Sequence, residues 1–314
     1  MSEFIESTIY KLEEEKYAIL CVDLIILDTE GNVLLGRRTL EPAKGRWVLP
    51  GGYVQITDDN IESAAVRSAK TEFGVDIELT HLVDVMGDPD MKPVADPRFY
   101  AVQVLYTAVI KKNSSPIASS YFMSEGMWVK PRKALWKKLG FNHKMLIKSY
   151  LKKKSEEQLI PIKRTLYTQH FGQVHDYLKN NYMHTVVMGI VINERNEILL
   201  AHRVQEPFKG AWDLPGGHMY AHESVEECLK REVREELGVD CEVGDLFHVY
   251  SDKGMSPKFS RAMVLYFIRI KSQEFVKNVE MDDFGYFPLD QIPDNLAYHI
   301  DGALKDVKDF IAQR

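Results

Sequence analysis

Residues 216–239 read Gly-Gly-His-Met-Tyr-Ala-His-Glu-Ser-Val-Glu-Glu-Cys-Leu-Lys-Arg-Glu-Val-Arg-Glu-Glu-Leu-Gly-Val. The stretch follows Pro215 and predicts a turn, a helix and a terminating glycine, Gly238, because glycine commonly ends a helix in a left-handed conformation. Apolar residues recur at the three- and four-residue steps of a helix that packs on one side; they are Val225, Cys228, Leu229, Val233 and Leu237. The stretch therefore predicts an amphipathic helix that begins just after a glycine turn.

Three carboxylates of this helix lie where a surface helix does not usually place them. At about 100° per residue, Glu232 and Glu236 project beside the apolar stripe, and Glu235 lies at its edge. Ionised carboxylates crowded near a packed face are unfavourable unless a cation compensates them. Oxygen ligands at this spacing suit a hard cation such as Mg²⁺, which readily bridges to substrate phosphates. The alternative is an acidic helix face in water.

The same stretch resembles the Nudix box, G-x5-E-x7-R-E-U-x-E-E-x-G-U, in which U is a bulky aliphatic residue. Every defined position is filled, by Gly217, Glu223, Arg231, Glu232, Val233, Glu235, Glu236, Gly238 and Val239. The resemblance implies a hydrolase that depends on Mg²⁺, with Mn²⁺ as a substitute, and that cleaves a nucleoside diphosphate linked to another group. It also implies that Glu232, Glu235 and Glu236 bind the metal, that Arg231 orients these carboxylates and that Glu223 supports the site.

Further candidates are less specific. The carbonyl of Gly217 is an additional candidate metal ligand, because glycine lets the backbone approach closely. Arg203 is a candidate phosphate contact through its planar fork, although a structural role is an equal alternative. The resemblance implies that the general base is a box glutamate or a carboxylate on a loop near the C-terminus; in this chain those carboxylates are Glu280, Asp282 and Asp283. Three histidines are interpreted as structural, namely His218, His222 and His248.

The chain contains an internal repeat. Residues 24–52 align without gaps with residues 189–217, and 13 of the 29 positions are identical, including Arg38 with Arg203. The similarity continues through Leu-Pro-Gly-Gly into a helical segment in both copies, so the chain is interpreted as two tandem domains. Strands mixed with flanking helices predict the α/β class, and the resemblance implies two Nudix α/β/α sandwich domains with mixed sheets.

The first copy departs from the box pattern at the carboxylates. With one extra loop residue, the positions of Glu223, Arg231, Glu232, Glu235 and Glu236 are taken by Asp59, Arg67, Ser68, Thr71 and Glu72. Two of the three metal-binding carboxylates are therefore absent, and one carboxylate holds Mg²⁺ only weakly. We predict a degenerate, catalytically silent domain at 1–154, a linker and lead-in helix at 155–181, and a catalytic domain at 182–314. The role of the first domain stays open between nucleotide binding, pairing with the second domain and a dimer interface.

Composition narrows the classes of function. Of the 314 residues, 45% are hydrophobic and 27% are charged, which is typical of a globular protein. No apolar run is long enough to span a bilayer and the start of the chain has no signal-peptide pattern, so we expect a cytoplasmic protein with no membrane partner. The three cysteines lack metal-binding spacing and are expected to be buried thiols.

Residues 130–154 contain ten lysines and arginines and no acidic residue, although the net charge of the chain is −6. A solvated terminal helix is the favoured interpretation of this basic stretch. Contact with a nucleic-acid backbone is the alternative, and it is not favoured because no recognisable nucleic-acid motif with interleaved aromatic residues is apparent.

The expected partner is a small-molecule nucleotide substrate. ADP-ribose or a related nucleotide sugar ranks first, because Pro257 and Pro97 follow the two box positions as in ADP-ribose-cleaving members that the sequence resembles. The alternatives are (deoxy)nucleoside triphosphates, the 5′ ends of RNA, and a non-catalytic nucleotide-sensing regulator. The complete second box favours an enzyme over the regulator and over a scaffold. A homodimer is also an open alternative, as is pairing of the two copies within one chain.

Overall fold

The computed structural model describes residues 18–55, 57–88, 100–162, 184–221, 223–252 and 261–313. The described residues divide into two compact units, one up to residue 162 and the other from residue 184. The predicted lead-in helix at 166–181 lies outside the described residues, as do Pro97, His222 and Pro257. The domain boundaries at 154/155 and 181/182 stay predictions.

The first unit is built on a mixed sheet. Its β1 pairs parallel with β6 and antiparallel with β2 and β4; β5 pairs antiparallel with β6 and β8, and β2 also pairs antiparallel with β3 and β7. The strands are β1 (Ile19–Leu27), β2 (Val33–Arg38), β3 (Trp47–Val48), β4 (Gly51–Tyr53), β5 (Ile77–Met86), β6 (Ala101–Ile110), β7 (Met123–Val129) and β8 (Ile160–Pro161), and the helices are α1 (Ile61–Phe73), α2 (Pro131–Ala134) and α3 (His143–Ser155).

Helices cover both faces of this sheet. Leu35 of β2 belongs to a buried cluster that includes Leu146 and Ile147 of α3. The next residue, Gly36, faces α1, because a β-carbon at Gly36 would lie 2.5 Å from the ring of Phe73. Consecutive residues of a strand point to opposite faces of the sheet, so α1 and α3 pack on opposite sides.

The second unit repeats this arrangement. In the main sheet, β9 pairs parallel with β14 and antiparallel with β12, and β13 pairs antiparallel with β14; β10 pairs antiparallel with β11 and β15 in a second, three-stranded sheet. The strands are β9 (His184–Ile190), β10 (Glu197–Arg203), β11 (Trp212–Asp213), β12 (Gly216–His218), β13 (Cys241–Asp252), β14 (Arg261–Ile270) and β15 (Met281–Pro288), and the helices are α4 (Val225–Leu237) and α5 (Asp301–Ile311).

Strand β9 shows that this unit also has a helix on each face. Met188 and Ile190 belong to a buried cluster with Leu304 of α5. Gly189, between them, faces the other helix, because a β-carbon there would lie 3.5 Å from Leu229 of α4. The predicted α/β class and the helix–sheet–helix layering of both copies are confirmed.

The two box-position helices are close structural equivalents. Both α1 and α4 have 13 residues and a capping box at the first turn. Both end at a glycine in the left-handed conformation, with φ of 71° at Gly74 and 72° at Gly238. The scaffold of the repeat is therefore retained in the copy whose carboxylates have changed.

The interpretation of residues 155–165 as a linker is wrong in part. Ile160 and Pro161 form β8, which pairs with Leu82 and His81 of β5. The stretch Gln-Leu-Ile-Pro-Ile is apolar enough to add an edge strand, and its single proline is tolerated there. The three cysteines are free and buried, as expected. No described helix is both long and apolar enough to cross a membrane.

Candidate active site

Helix α4 places the three box glutamates as the periodicity predicts. Glu232 and Glu236 are buried, with 9% and 4% of their surface exposed, whereas the Glu235 side chain is 57% exposed. The helix starts at Ser224, whose hydroxyl accepts the N–H of Glu227 while the Glu227 carboxylate accepts the N–H of Ser224. This capping box fixes the first turn and thereby the rotation of the helix that carries the carboxylates.

Arg231 joins the carboxylates into one network. Its guanidinium donates to both oxygens of Glu223, at 2.7 and 2.9 Å, in a bidentate pair. It also donates to Glu232 at 2.8 Å, to Glu235 at 3.0 Å and to the backbone carbonyl of His218 at 3.0 Å. The orienting role that the resemblance implied for Arg231 matches this geometry, and Glu223 supports the site by holding the guanidinium.

The glycine turn fits closely against the helix. The N–H of Gly216 donates to the Glu236 carboxylate at 2.8 Å. Gly216 has φ of +144°, and a β-carbon there would lie 2.2 Å from the carbonyl oxygen of Val187, so only glycine fits. A β-carbon at Gly217 would lie 2.5 Å from the Glu232 carboxylate. The space in front of this carboxylate therefore exists because residue 217 has no side chain.

Burial makes the charged form of this cluster unfavourable. Burial raises the pKa of Glu232 to about 7, although Arg231 lowers it. Burial likewise raises the pKa of Glu236 well above its ordinary value, against the opposing hydrogen bond from Gly216. Burial also raises the pKa of neighbouring Asp213 to about 6. A nearby divalent cation stabilises carboxylates in their ionised form, so the cluster has the electrostatic character of a cation site.

The donor set fits magnesium, which prefers oxygen ligands from one or two carboxylates plus water and phosphate oxygens. Glu232, Glu235, Glu236 and the carbonyl of Gly217 are all oxygen donors. Over the described ranges of the chain, no three acidic, histidine or cysteine side chains already converge on a common point that would hold a metal. Glu235 pairs with Arg231 instead, so its carboxylate would have to turn from the guanidinium to join the other two.

Arg203 lies beside the buried acids. Its Nε donates to the carbonyl of Pro207 at 3.3 Å and its Nη1 donates to Asp213 at 3.3 Å. Its guanidinium lies over the ring of Tyr298, 5.1 Å from the centroid, and Arg261 lies over the same ring at 3.7 Å. In the first unit, Arg38 makes the corresponding bond to a proline carbonyl, which favours a structural role for this arginine in both copies. The phosphate contact stays a prediction.

Sequence reasoning missed three residues that lie near the box glutamates. Arg261, which is 2% exposed, is a buried cation whose charge lowers the pKa of Asp213 against the effect of burial. The signal that would have found them is a comparison of the two copies, because each is polar in the second unit and apolar at the matching position of the first. The pairs are Asp213 with Val48, Arg261 with Ala101, and Tyr298 with Phe141.

The acidic segment that was considered for a general base forms the start of β15 and the residue before it. Glu280, Asp282 and Asp283 are all exposed. Asp282 accepts a 2.6 Å hydrogen bond from His202, which lowers the pKa of Asp282, and Asp283 lies 3.7 Å from Lys277. Among the described contacts, none joins these three side chains to the box glutamates. Their role as base stays a prediction.

The first unit keeps the arginine of the box with a different carboxylate. Arg67 donates to both oxygens of Asp58, at 2.6 and 2.7 Å, as Arg231 does to Glu223. The sequence alignment assigned this position to Asp59, and that assignment is wrong. Asp58 is one residue further from its arginine than Glu223 is, and this extra residue of loop compensates for the shorter aspartate side chain.

The remaining metal positions of the first unit confirm the loss of carboxylates. Glu72 is buried and accepts the N–H of Gly51 at 3.0 Å, as Glu236 does from Gly216. Ser68 is buried and Thr71 is exposed, and neither supplies a carboxylate oxygen. The first unit therefore retains the buried glutamate of the box without the charged neighbours that would share a metal with it.

A polar cluster fills the core beside this helix in the first unit. Asp23 accepts a 2.7 Å hydrogen bond from Gln103 and lies 3.3 Å from His143, and all three side chains are buried. The N–H of Leu49 donates to Nδ1 of His143, so the hydrogen of the neutral ring is on Nε2, facing Asp23. In the second unit the corresponding positions are apolar; they are Met188, Met263 and Ile300.

The family assignment rests on the whole chain. The NUDIX domain family model matches residues 19–149 and 183–307. The ADP-ribose pyrophosphatase of Methanocaldococcus jannaschii is 32% identical over 126 residues, which cover 40% of this chain and 74% of that protein. The chain therefore belongs to the Nudix family of pyrophosphohydrolases, with two copies of the domain in tandem.

Other relatives match shorter shares of their own length. The ADPR responsive transcriptional repressor NtrR of Acinetobacter baylyi is 29% identical over 162 residues, 49% of this chain and 62% of that protein. The 8-oxo-dGDP phosphatase NUDT18 of Homo sapiens is 39% identical over 64 residues, 20% of each chain. Among solved structures, the NUDIX domain of Shewanella oneidensis NrtR complexed with ADP ribose is 26% identical, with a TM-score of 0.37, and covers 45% of this chain and 92% of that one.

Arg231→Lys is expected to lower the free energy of unfolding of the second unit by about 1–3 kcal/mol, because lysine keeps the charge but loses the fork that holds buried carboxylates. Urea unfolding measures the change. The matched control is Arg234→Lys on the same helix, whose guanidinium is 65% exposed and pairs with Asp240. That variant is expected to change stability little, and equal losses in both variants would contradict the role assigned to Arg231.

Proposed function

We propose that the second unit hydrolyses a pyrophosphate bond in a nucleoside diphosphate derivative, that the reaction depends on Mg²⁺, and that ADP-ribose or a related nucleotide sugar is the substrate. The observation that carries the proposal is the complete carboxylate set, Glu232, Glu235 and Glu236, on one face of α4 and bound by Arg231 in part. Similarity to an ADP-ribose pyrophosphatase over 74% of its length supports the choice of substrate.

The residues of the chain divide the work between holding the ion and holding the substrate. Glu232, Glu235 and Glu236 would hold magnesium, with the Gly217 carbonyl as a further oxygen. When bound, the ion lowers the pKa of coordinated water and offsets the charge of the diphosphate. Arg203 provides the planar donor groups that suit a phosphate.

The protein side of the site limits where the substrate phosphates can lie. Arg261 and Tyr298 form a stacked pair, with 3.7 Å between the guanidinium carbon and the ring centroid, and they support Arg203 from behind. Burial lowers the pKa of His218 to about 3. A neutral histidine in this position is consistent with a structural role, so the candidates for the base remain the box glutamates and Glu280, Asp282 and Asp283.

A second candidate function is a sensor that binds ADP-ribose without cleaving it. The observation that favours it is the similarity to an ADPR responsive transcriptional repressor over 49% of this chain. The two functions make opposite predictions for turnover, since a sensor needs only the contacts to the nucleotide. The complete set of box carboxylates favours the enzyme.

A substrate screen tests the proposed function directly. The full chain is incubated with ADP-ribose, other nucleoside diphosphate sugars, dinucleotides and nucleoside triphosphates, each with Mg²⁺ and with a chelator, and the products are separated chromatographically. The expected result is hydrolysis of ADP-ribose to AMP and ribose 5-phosphate that requires the ion. A higher kcat/KM for nucleoside triphosphates would contradict the substrate, and tight binding of ADP-ribose without turnover would favour the sensor.

A further inference from the structure

Trp136 is the most exposed large hydrophobic side chain of the described residues, with 90% of its surface accessible. The backbone around it is well anchored. Ala134 is buried, and Leu135 and Leu139 pack against the core of the first unit. Leu139 also forms a bridge with Trp47. The ring of Trp136 is therefore held out into solvent by a fixed backbone segment, and burial inside the unit does not explain it.

Four basic side chains surround this ring in the sequence. Arg132, Lys133, Lys137 and Lys138 are all exposed. None of the four forms an ion pair with a carboxylate within the described ranges, although carboxylates are abundant in the chain. The stretch 130–154 contributes ten positive charges to a chain of net charge −6, so the remaining residues carry an excess of sixteen negative charges.

A loop of the same unit adds to this surface. The N–H of Trp47 donates to the carbonyl of Lys138 at 3.1 Å, which brings the preceding residue, Arg46, alongside. A β-carbon at Gly140 would lie 3.3 Å from the β-carbon of Arg46, and Arg46 is exposed. The Trp136 surface is defined by Trp136 and five basic residues, namely Arg46, Arg132, Lys133, Lys137 and Lys138.

The neighbouring helix α3 has the same bias. Its exposed lysines Lys144, Lys148 and Lys152 recur at four-residue spacing, and the helix contains no acidic residue. Like charges at this spacing destabilise a helix by roughly 0.2–0.5 kcal/mol per pair. Burial of Leu146, Ile147 and Tyr150 explains how the helix packs, but it does not explain why only lysine occupies the solvent face. A polyanionic partner would offset this repulsion.

We propose that the Trp136 surface binds single-stranded RNA, with the indole ring stacking on an unpaired base and the basic side chains contacting the phosphates on either side. An exposed aromatic ring among cations is the combination that single strands require, because stacking needs a base face and the backbone needs positive charge. In a duplex the bases are already stacked on one another, whereas RNA commonly offers splayed bases in loops and ends.

The packing of this segment argues against a membrane as the partner. A helix that binds a membrane surface presents a continuous apolar face of several large residues. Here the other apolar residues of the segment, Ala134, Leu135 and Leu139, are turned into the core. One ring suffices to stack on one base but provides little apolar area for insertion into lipid.

This inference corrects an interpretation made from the sequence. The basic stretch does contain an aromatic residue among its charges, and periodicity alone suggests that Trp136 packs inward like its apolar neighbours. Its exposure follows from the turn between α2 and α3, where the N–H of Trp136 donates to the carbonyl of Lys133. The proposal does not depend on the hydrolase activity, because every residue of the Trp136 surface belongs to the first unit.

Binding of a fluorescently labelled 12-nucleotide RNA of mixed sequence to the full chain, followed by anisotropy at low salt, tests the proposal. Trp136→Ala is expected to weaken binding by about tenfold or more, and Trp136→Phe to restore most of the affinity. The matched control is Tyr121→Ala, which removes an aromatic ring that is 72% exposed and lies outside the basic stretch. It is expected to bind as the unchanged chain does.

A charge-reversed pair separates specific contacts from overall charge. Lys137→Glu with Lys138→Glu is expected to weaken binding and to reduce the slope of log Kd against log salt by about one unit. Lys111→Glu with Lys112→Glu makes the same change of charge at another exposed lysine pair and is expected to retain the slope. Circular dichroism melting shows whether each variant is folded.

Several results would overturn the proposal. They are the absence of measurable RNA binding, equal affinity in Trp136→Ala and the unchanged chain, and equal loss in the two charge-reversed pairs. Equal or tighter binding to single-stranded DNA or to duplex RNA of the same sequence would overturn the assignment to single-stranded RNA. Sedimentation with vesicles of phosphatidylcholine and phosphatidylserine that is lost in Trp136→Ala would make an anionic membrane the partner instead.

Discussion

Glu235→Gln is expected to lower the turnover of ADP-ribose by at least about 100-fold, because it removes one of the three negative charges proposed to hold magnesium. The substitution is nearly isosteric and its site is 57% exposed, so the second unit should remain folded. The measurement is kcat at saturating Mg²⁺ and saturating substrate. A fall in kcat at all ion concentrations is expected, because the lost carboxylate also positions the ion.

The control for this prediction is Glu72→Gln, which makes the same chemical change at the box position of the first unit. Turnover is expected to be unchanged, since Ser68 and Thr71 leave Glu72 without partners for a metal. Equal losses in the two variants would place the chemistry in both units, and a loss in Glu72→Gln alone would place it in the first.

Glu72→Gln is also expected to stabilise the protein at alkaline pH. Burial raises the pKa of Glu72 from an ordinary value of 4.5 to about 8, although the N–H of Gly51 and the charge of Arg38 lower it. Protonation of Glu72 therefore stabilises the folded state below pH 4.5, and this contribution is lost as the pH rises through 8. Glutamine stays neutral and still accepts the N–H of Gly51, so the variant avoids the loss.

The expected difference in the free energy of unfolding is on the order of 4 kcal/mol at pH 9 and small at pH 5, because one pKa unit corresponds to about 1.4 kcal/mol. Urea unfolding of the full chain between pH 5 and 9 measures it. Glu78→Gln, at an exposed position of the same unit, is the control and should leave the pH profile unchanged. A Glu72→Gln variant that is less stable than the unchanged chain at pH 9 would show that the carboxylate is stabilised in its charged form.

The parts of the fold that follow from local chemistry could be predicted from the sequence. The period of the apolar residues places Glu232 and Glu236 beside the packed face of α4, and Gly238 ends the helix in the left-handed conformation. The repeat locates α1 and its capping glycine, Gly74, in the same way. These features depend on residues a few positions apart, where helix geometry is nearly fixed.

Features that depend on tertiary contacts were missed or misplaced. Asp58 rather than Asp59 pairs with Arg67, because side-chain length and loop length compensate for each other in space. Arg261 reaches the site from a distant strand, so no local pattern marks it as a partner of Tyr298. The strand at Ile160–Pro161 is too short to show a period of two. A residue-by-residue comparison of the two copies would have found Arg261, but not its partner.

The two copies show how a site is lost while its scaffold is kept. Helix length, capping and the glycine turn are the same in both units, whereas the carboxylates at two positions are replaced by Ser68 and Thr71. The core beside the helix changes as well, from methionine and isoleucine to the buried pair of Asp23 and His143. A buried polar network must be fully hydrogen-bonded to be tolerated, so this core is a distinct packing solution in the first unit.

The measurement that tests the central claim most directly is divalent-cation binding, with Mn²⁺ as a paramagnetic substitute for Mg²⁺ and free Mn²⁺ followed by electron paramagnetic resonance. The titration compares the unchanged chain with Glu235→Gln and Glu72→Gln. The proposed site in the second unit predicts that Glu235→Gln weakens Mn²⁺ binding by about tenfold or more, whereas Glu72→Gln binds as the unchanged chain does. Equal affinities in all three proteins would contradict the assignment of Glu232, Glu235 and Glu236 as the metal ligands.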